Sequence, residues 1–149
     1  LSKLWRSLDL LLLRRKLRLL REGRSLADHG SIILLDRYPQ DQFNGICDGP
    51  RQQDGMGFGW ADRSERALFS EVGKLGPDLV IKLSIDPDVA HRRKPDHDLG
   101  VIRRKCAIID ELSFPQADVV VVNAAMAPDK VLLAAKNAIW EYLTGVPQQ

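Results

Sequence analysis

Residues 77–90 read PDLVIKLSIDPDVA, and this stretch decides the fold class. Its apolar part predicts a strand, and the following Asp86 can cap the helix that Pro87 begins. Two similar apolar runs, Ser31–Leu35 and Asp118–Val122, predict further buried strands. Because helical patterns separate the three strands, the sequence predicts an α/β fold, a parallel sheet with helices on both faces.

Composition limits the class of protein. The 149 residues are 44% hydrophobic and 28% charged, with a net charge of +2, which is typical of one soluble globular domain. No apolar run approaches the ~18 residues of a membrane span. The two cysteines, Cys47 and Cys106, are too few for a disulfide framework, so a reducing cytoplasm is the expected location.

Helical periodicity is clearest near the start of the chain. The first predicted helix places Arg15 between Leu11 and Leu19, inside an apolar stripe, where a charge must reach a partner or solvent. The other helical patterns cover residues 62–75, 87–94, 99–112 and 128–143. A stretch rich in glycine and proline, residues 39–61, predicts a long loop that is functional or mobile.

An acid and a base follow the predicted strand Ser31–Leu35 directly. Asp36 and Arg37 would then lie at the carboxyl edge of the sheet, which is where open α/β sheets bind ligands. The alternative for this pair is a structural salt bridge at a strand end.

Three motifs in this order resemble thymidylate kinases and the thymidylate-kinase-like proteins of the P-loop nucleotide kinase superfamily. They are Asp36-Arg37-Tyr38, the stretch 77–90 leading into Arg92-Arg93, and VVVVNA at residues 119–124. The match runs from about Leu10 to Leu143. It implies one partial kinase domain over residues 1–149, of the P-loop nucleoside-monophosphate-kinase type, with a lid at about residues 91–99.

The resemblance also implies roles for the matching residues. Asp36 would lie beside the transferred phosphoryl group and hold Mg²⁺ indirectly through its waters. Arg37 would bind the acceptor phosphate through its planar guanidinium, aided by Arg15 and Tyr38. The catalytic lid residues are Arg92 and Arg93, which would close on ATP.

The implied reaction is transfer of the terminal phosphoryl group of ATP to a nucleoside monophosphate. Mg²⁺ is the implied cofactor and ATP the co-substrate. Neither nucleic acid nor a membrane is an expected partner, and a homodimer is left open.

Simpler explanations exist for several of these residues. Arg92 and Arg93 could belong to a solvated helix end, and Arg15 could extend to solvent from the helix surface. The segment Gly55–Gly59 lacks a preceding strand and a following Lys-Ser/Thr, so it predicts a linker rather than a nucleotide loop. Asp96-His97-Asp98 predicts a solvated turn, since adjacent residues converge poorly on one metal ion.

The sequence departs from the family in three places. No Gly-x-x-x-x-Gly-Lys-Ser/Thr loop is present, and the resemblance implies that the first two strands, on the order of 60 residues, are missing. The loop PQDQFNGICDGP at residues 39–50 differs from the base-contacting segment of thymidylate kinases, and Asn123 replaces an aspartate. We therefore expect a fragment that is marginally stable and inactive as a kinase, and the acceptor nucleotide stays open.

A second hypothesis is a non-catalytic binding module. Eight Lys or Arg residues fall within the first 24 positions, against two acids. This basic first helix could dock on an acidic protein, an anionic membrane surface or nucleic acid.

Overall fold

The computed structural model describes residues 2–50 and 59–145, with side chains from residue 7 onward. The chain forms two compact units, Leu1–Gly76 and Pro77–Gln149, and a single domain over residues 1–149 stays a prediction. The first unit contains helices α1 (Ser2–Asp28) and α2 (Trp60–Leu75). The second contains β1 (Leu79–Ser84), α3 (Pro87–Arg93), α4 (Leu99–Glu111), β2 (Asp118–Asn123) and α5 (Pro128–Thr144). Of the predicted linker Gly55–Gly59, all but the last residue lies outside the described residues.

The core of the first unit lies between α1 and α2. Leu17 and Leu20 of α1 pack with Val72 of α2 in a buried cluster. At the rim of this contact Arg21 forms an ion pair with Glu71, with 3.2 Å between Nη2 and Oε2. Burial of the apolar side chains supplies most of the packing energy, because exposed ion pairs contribute about 1 kcal/mol or less.

The buried face of α1 differs from the predicted stripe. Among the side chains of residues 7–28, the buried ones are Leu10, Leu17 and Leu20, whereas Leu11 and Leu19 are more than half exposed. Both faces of this helix are rich in leucine, so periodicity alone could not decide which one packs. Arg15 shares the exposed face with Leu11 and Leu19, and its side chain is exposed to solvent, which is one of the two outcomes predicted for a charge in that stripe.

Helix α1 runs without a break to Asp28 and ends in a Schellman motif. The amide of Ser31 donates to the carbonyl of Leu26 over 3.0 Å, and the amide of Gly30 donates to Ala27 over 2.9 Å. Gly30 has a φ of +89°, which a residue without a Cβ adopts at little cost. This glycine fixes the direction in which the chain leaves the helix.

The strand predicted over Ser31–Leu35 is not formed. These residues lie in neither a helix nor a strand, and Leu34 is 74% exposed. A strand requires a neighbour for its amides and carbonyls, and within residues 2–50 and 59–145 the sheet consists of β1 and β2 alone. The central strand that the resemblance implies as its neighbour stays a prediction.

The second unit has the predicted parallel sheet. β1 pairs with β2 in parallel, in a register that aligns Leu79 with Asp118 and Ser84 with Asn123. Helix α4 packs on β1, where the Lys82 ammonium donates to the Asp110 carbonyl over 3.0 Å and the Ser84 hydroxyl donates to the Asp110 carboxylate over 3.2 Å. Helix α5 contacts both strands. This unit is α/β, as predicted.

Aspartates begin two of its helices. Asp86 accepts hydrogen bonds from the amides of Asp88 and Val89, and Pro87 occupies the first turn of α3 as predicted. Asp98 accepts one from the amide of Val101 and begins α4. Both acids satisfy amides that the helix leaves unpaired.

None of the helices in the described part of the chain combines the length and apolar character needed to cross a membrane.

Candidate functional site

Asp36 and Arg37 lie on the surface of the first unit. The Asp36 side chain is 98% exposed, and its Oδ2 lies 3.8 Å from Nε of Arg37. An exposed pair at this distance contributes about 1 kcal/mol or less, so it does not serve as a structural clamp. Because Ser31–Leu35 forms no strand, the described residues do not place this pair at a sheet edge. Both charged groups are open to a ligand.

Tyr38 connects this pair to the helical core. Its ring packs against the cluster of Leu17, Leu20 and Val72, and its hydroxyl donates to the carbonyl of Val72 over 3.4 Å. Packing explains its conformation without a ligand, and substrate binding by Tyr38 stays a prediction. Its anchoring restricts where the preceding Arg37 can reach.

The loop after Tyr38 is folded around Gln40, which is only 4% exposed. Its amide nitrogen donates to the carbonyls of Phe43 over 2.8 Å and Ile46 over 2.7 Å. Its amide oxygen accepts from the backbone amides of Gln42 over 2.8 Å and Phe43 over 2.7 Å. These four hydrogen bonds use the donors and acceptor of one side chain to hold the loop.

Gly49 allows this loop to close. A Cβ at this position would collide with the Phe43 carbonyl oxygen and with the side-chain nitrogen of Gln40. The neighbouring Cys47 and Asp48 have positive φ, and Asp48 pairs with Lys16 of α1 over 2.6 Å. The prediction of a long loop is confirmed for residues 39–50, but the fold around Gln40 could not be found from sequence.

Arg15 is solvent-exposed, and within the described residues it has no hydrogen bond or ion pair. The structure does not bring it into contact with Asp36 or Arg37. Its binding to an acceptor nucleotide stays a prediction.

Arg92 and Arg93 lie at the end of α3 in the second unit. Arg92 is exposed. The Arg93 guanidinium donates to the carbonyls of Ala124 over 2.6 Å, Ala125 over 2.8 Å and Met126 over 3.2 Å. One of the two arginines is therefore engaged by backbone in this structure.

The carboxyl end of β2 continues into an ordered turn. Asn123 Oδ1 accepts from the amide of Ala125 over 2.9 Å, and the amide of Ala124 donates to the carbonyl of Ser84 over 2.8 Å. An aspartate could make the same hydrogen bond as Asn123. The departure from the family at this position is thus compatible with the turn.

The described residues contain no group of three or more His, Cys, Asp or Glu side chains that could hold a metal ion. Asp36 offers a single exposed carboxylate, which suits a Mg²⁺ ion held mainly by waters and phosphate oxygens. In the predicted turn, Asp96 lies 3.8 Å from His97 and Asp98 caps α4. Those side chains are thus engaged separately and do not converge.

The chain is similar to ATP-binding proteins of Escherichia coli. It is 28% identical over 130 residues to the uncharacterized ATP-binding protein YghR of strain K12, covering 84% of this chain and 52% of the relative. It is 32% identical over 118 residues to the uncharacterized ATP-binding protein YghS of the same strain, covering 76% of this chain and 50% of the relative. The chain thus spans about half the length of the curated relatives it matches. No family model and no solved structure matches it.

Proposed function

We propose that this chain is part of an ATP-dependent phosphotransferase of the P-loop kinase type, which resembles thymidylate kinase and acts on a nucleoside monophosphate. The observation that carries the proposal is the similarity to YghR and YghS, named ATP-binding proteins, over 84% and 76% of this chain. The order of Asp36-Arg37, Arg92 and the turn at Asn123 supports the kinase class over other ATP-binding classes.

Arg37 is the residue proposed to bind the acceptor phosphate. Its guanidinium has only a loose contact, 3.8 Å, with Asp36, so a phosphate can replace that carboxylate without the loss of a strong interaction. The planar guanidinium donates to two phosphate oxygens at once. Tyr38 anchors the segment, so Arg37 would present its charge from a limited region of the surface.

Asp36 is proposed to hold Mg²⁺ through coordinated waters. The ion would supply charge neutralisation for the phosphates when bound. With its side chain 98% exposed, Asp36 can accept hydrogen bonds from such waters at little desolvation cost. Arg92 would add a second positive charge on the donor side.

The phosphates of ATP require further groups. The 149 residues contain no Gly-x-x-x-x-Gly-Lys-Ser/Thr motif, the loop whose backbone amides bind the phosphates of ATP in P-loop enzymes. We therefore assign binding of the acceptor to this chain, and expect no phosphoryl transfer from these 149 residues alone.

The test is a titration of the chain with nucleoside monophosphates, followed by heteronuclear NMR. We expect shifts at Asp36–Tyr38, and at least tenfold weaker binding by Arg37→Gln, since a charge-assisted bidentate contact is lost. Arg14→Gln, which removes another exposed arginine, should bind as the wild type does. If no monophosphate binds, or if Arg37→Gln binds equally well, the proposed function is wrong.

A second candidate function rests on the outer face of α1. Leu11, Leu12 and Leu19 are more than half exposed there, and the same side carries the exposed Arg15 and Arg18. Leucines beside arginines are typical of helices that lie on anionic lipid, because the apolar side chains enter the acyl boundary while the arginines contact headgroups. Nucleic acid would leave those leucines exposed.

Vesicle sedimentation distinguishes this candidate from the first. Binding to vesicles of phosphatidylcholine with phosphatidylglycerol, weakened by high salt and by Leu12→Gln, would favour it. An equal lack of binding to anionic and neutral vesicles would exclude it.

A further inference from the structure

Two adjacent arginines at the end of α3 have different surroundings. Arg93 donates to three successive carbonyl oxygens, those of Ala124, Ala125 and Met126. Both side chains are exposed, but within residues 2–50 and 59–145 Arg92 makes no hydrogen bond or ion pair. A shared role for both residues does not follow from this geometry.

The turn that receives Arg93 is held from several directions. The amide of Ala124 is bound by the Ser84 carbonyl of β1, and the amide of Ala125 is bound by the Asn123 side chain. The carbonyls of the same turn point to the guanidinium of Arg93. Nearly all backbone polar groups of residues 124–126 are thereby paired. Arg93 is the hydrogen-bond donor to all three of their carbonyl groups.

We propose that Arg93 is a positioning residue that holds the turn of residues 124–126 at the carboxyl end of β2. Arg92 is the arginine of the pair that binds an anionic ligand. The assignment to Arg92 rests on the proposed function, with the triphosphate of ATP as the ligand. The assignment to Arg93 requires no ligand.

The chemistry of the side chain supports this division. A guanidinium presents five donors in a rigid fork, which can reach carbonyls on successive residues, whereas an ammonium concentrates its donors at one point. Contact of Arg93 with a phosphate would require it to release three hydrogen bonds of 2.6 to 3.2 Å. Within the described residues Arg92 makes no hydrogen bond, so contact with a phosphate would break none.

Amide hydrogen exchange tests the role of Arg93 without any ligand. In Arg93→Ala, we expect the amides of Ala124 and Ala125 to exchange at least tenfold faster than in the wild type. Arg93→Lys should lie between the two, because a lysine can reach only part of the turn. Arg92→Ala serves as the matched control and should leave these amides unchanged.

Unchanged exchange in Arg93→Ala would overturn the assignment, as would equal acceleration in Arg92→Ala. If Arg93→Ala loses its helical circular dichroism, Arg93→Lys decides, since it keeps the charge and the length. Amides of α5 give an internal reference for global unfolding.

ATP titration at two salt concentrations tests Arg92. Arg92→Ala should weaken ATP binding at least fivefold and reduce its dependence on salt, because a direct charge contact is lost. Arg93→Ala should keep the wild-type salt dependence, because the positioning role gives Arg93 no direct charge contact with the ligand. A reduced salt dependence in Arg93→Ala would contradict the positioning role, because it would indicate that Arg93 contacts the ligand directly.

An absence of ATP binding by the wild type would contradict the role of Arg92, whereas the proposed function is decided by the monophosphate titration. The exchange experiment would then still confirm or overturn Arg93 as the residue that holds the turn.

Discussion

At the scale of single residues, the best-defined local structure surrounds Gln40. Its side chain is buried and bonded to Gln42, Phe43 and Ile46. Nothing in the sequence distinguishes this glutamine from a solvated loop residue, because a loop built on side-chain contacts to backbone has no periodicity. The loop next to the proposed acceptor site depends on it.

We expect Gln40→Ala to destabilise the first unit by about 1–3 kcal/mol, because it leaves partly buried backbone groups without their partners. Urea unfolding followed by circular dichroism measures this loss. Asp41→Ala removes an exposed neighbour and should stay within about 0.5 kcal/mol of the wild type. Equal stability of the two variants would show that the four hydrogen bonds are replaced by water at little cost.

Cys106 provides a second test at this scale. Burial raises the pKa of its thiol, and the nearby carboxylates of Asp110 and Asp86 raise it further. A raised pKa leaves less thiolate at neutral pH, and the thiolate is the reactive form. We expect iodoacetamide to modify Cys106 more slowly than an unperturbed thiol at pH 7.5, as measured by mass spectrometry of its peptide.

Asp110→Asn should accelerate that modification, since it removes a negative charge and keeps a hydrogen-bond acceptor for Ser84. Glu111→Gln changes the adjacent carboxylate and serves as the control. Acceleration by both variants to the same degree would indicate an effect of net charge rather than of Asp110.

At the scale of elements, the sequence predicted those that depend on local pattern. Apolar runs predicted β1 and β2, and Asp86 with Pro87 predicted the start of α3. The parallel pairing of the two strands is confirmed. The strand expected at Ser31–Leu35 was wrong because a strand exists only with a partner, and no local pattern records whether the partner is present. The position of Asp36 and Arg37 relative to a sheet could not be predicted for the same reason.

The ion pair between α1 and α2 leads us to expect that the stability of the first unit depends on pH. The pKa of Glu71 is lowered, first by its hydrogen bond and charge contact with Lys74 and then by Arg21. A lowered carboxyl pKa means that the charged form is favoured in the folded state. Its stabilising contribution is therefore present above the unfolded pKa and is lost as the pH falls through the folded pKa.

We expect Glu71→Gln to lower the melting temperature at pH 7 and to have a smaller effect as the pH falls, because the wild-type carboxyl then becomes protonated. Thermal unfolding across pH 3–7 measures the difference. Glu65→Gln on the same helix is a comparison variant, and an identical pH profile for it would assign the effect to the overall charge of α2.

At the scale of the whole molecule, the described core is small. Nine apolar side chains are buried in the described residues, and many large ones, Leu34 and Trp140 among them, are more than half exposed. Apolar area left in water contributes nothing to the stability of the fold. The expectation of marginal stability stays a prediction, and this burial pattern supports it.

We expect the 149-residue chain to unfold in urea with a low slope and to increase the fluorescence of a hydrophobic dye before unfolding. A coupled assay should detect no ATP turnover by this chain. A steep, two-state transition without dye binding would contradict the prediction of marginal stability, and turnover would contradict the expected inactivity.

The exposed segment Ser31–Leu35, at the end of the Schellman motif, bears on the tendency of the protein to aggregate. Ser31–Leu35 contains four consecutive apolar residues with no charge or proline, and it is exposed and outside the sheet. Copies of such a segment can pair with one another and stack, which is how cross-β fibrils nucleate. We therefore expect Ser31–Leu35, which the sequence analysis assigned to a sheet, to promote aggregation of the protein as long as the segment stays unpaired.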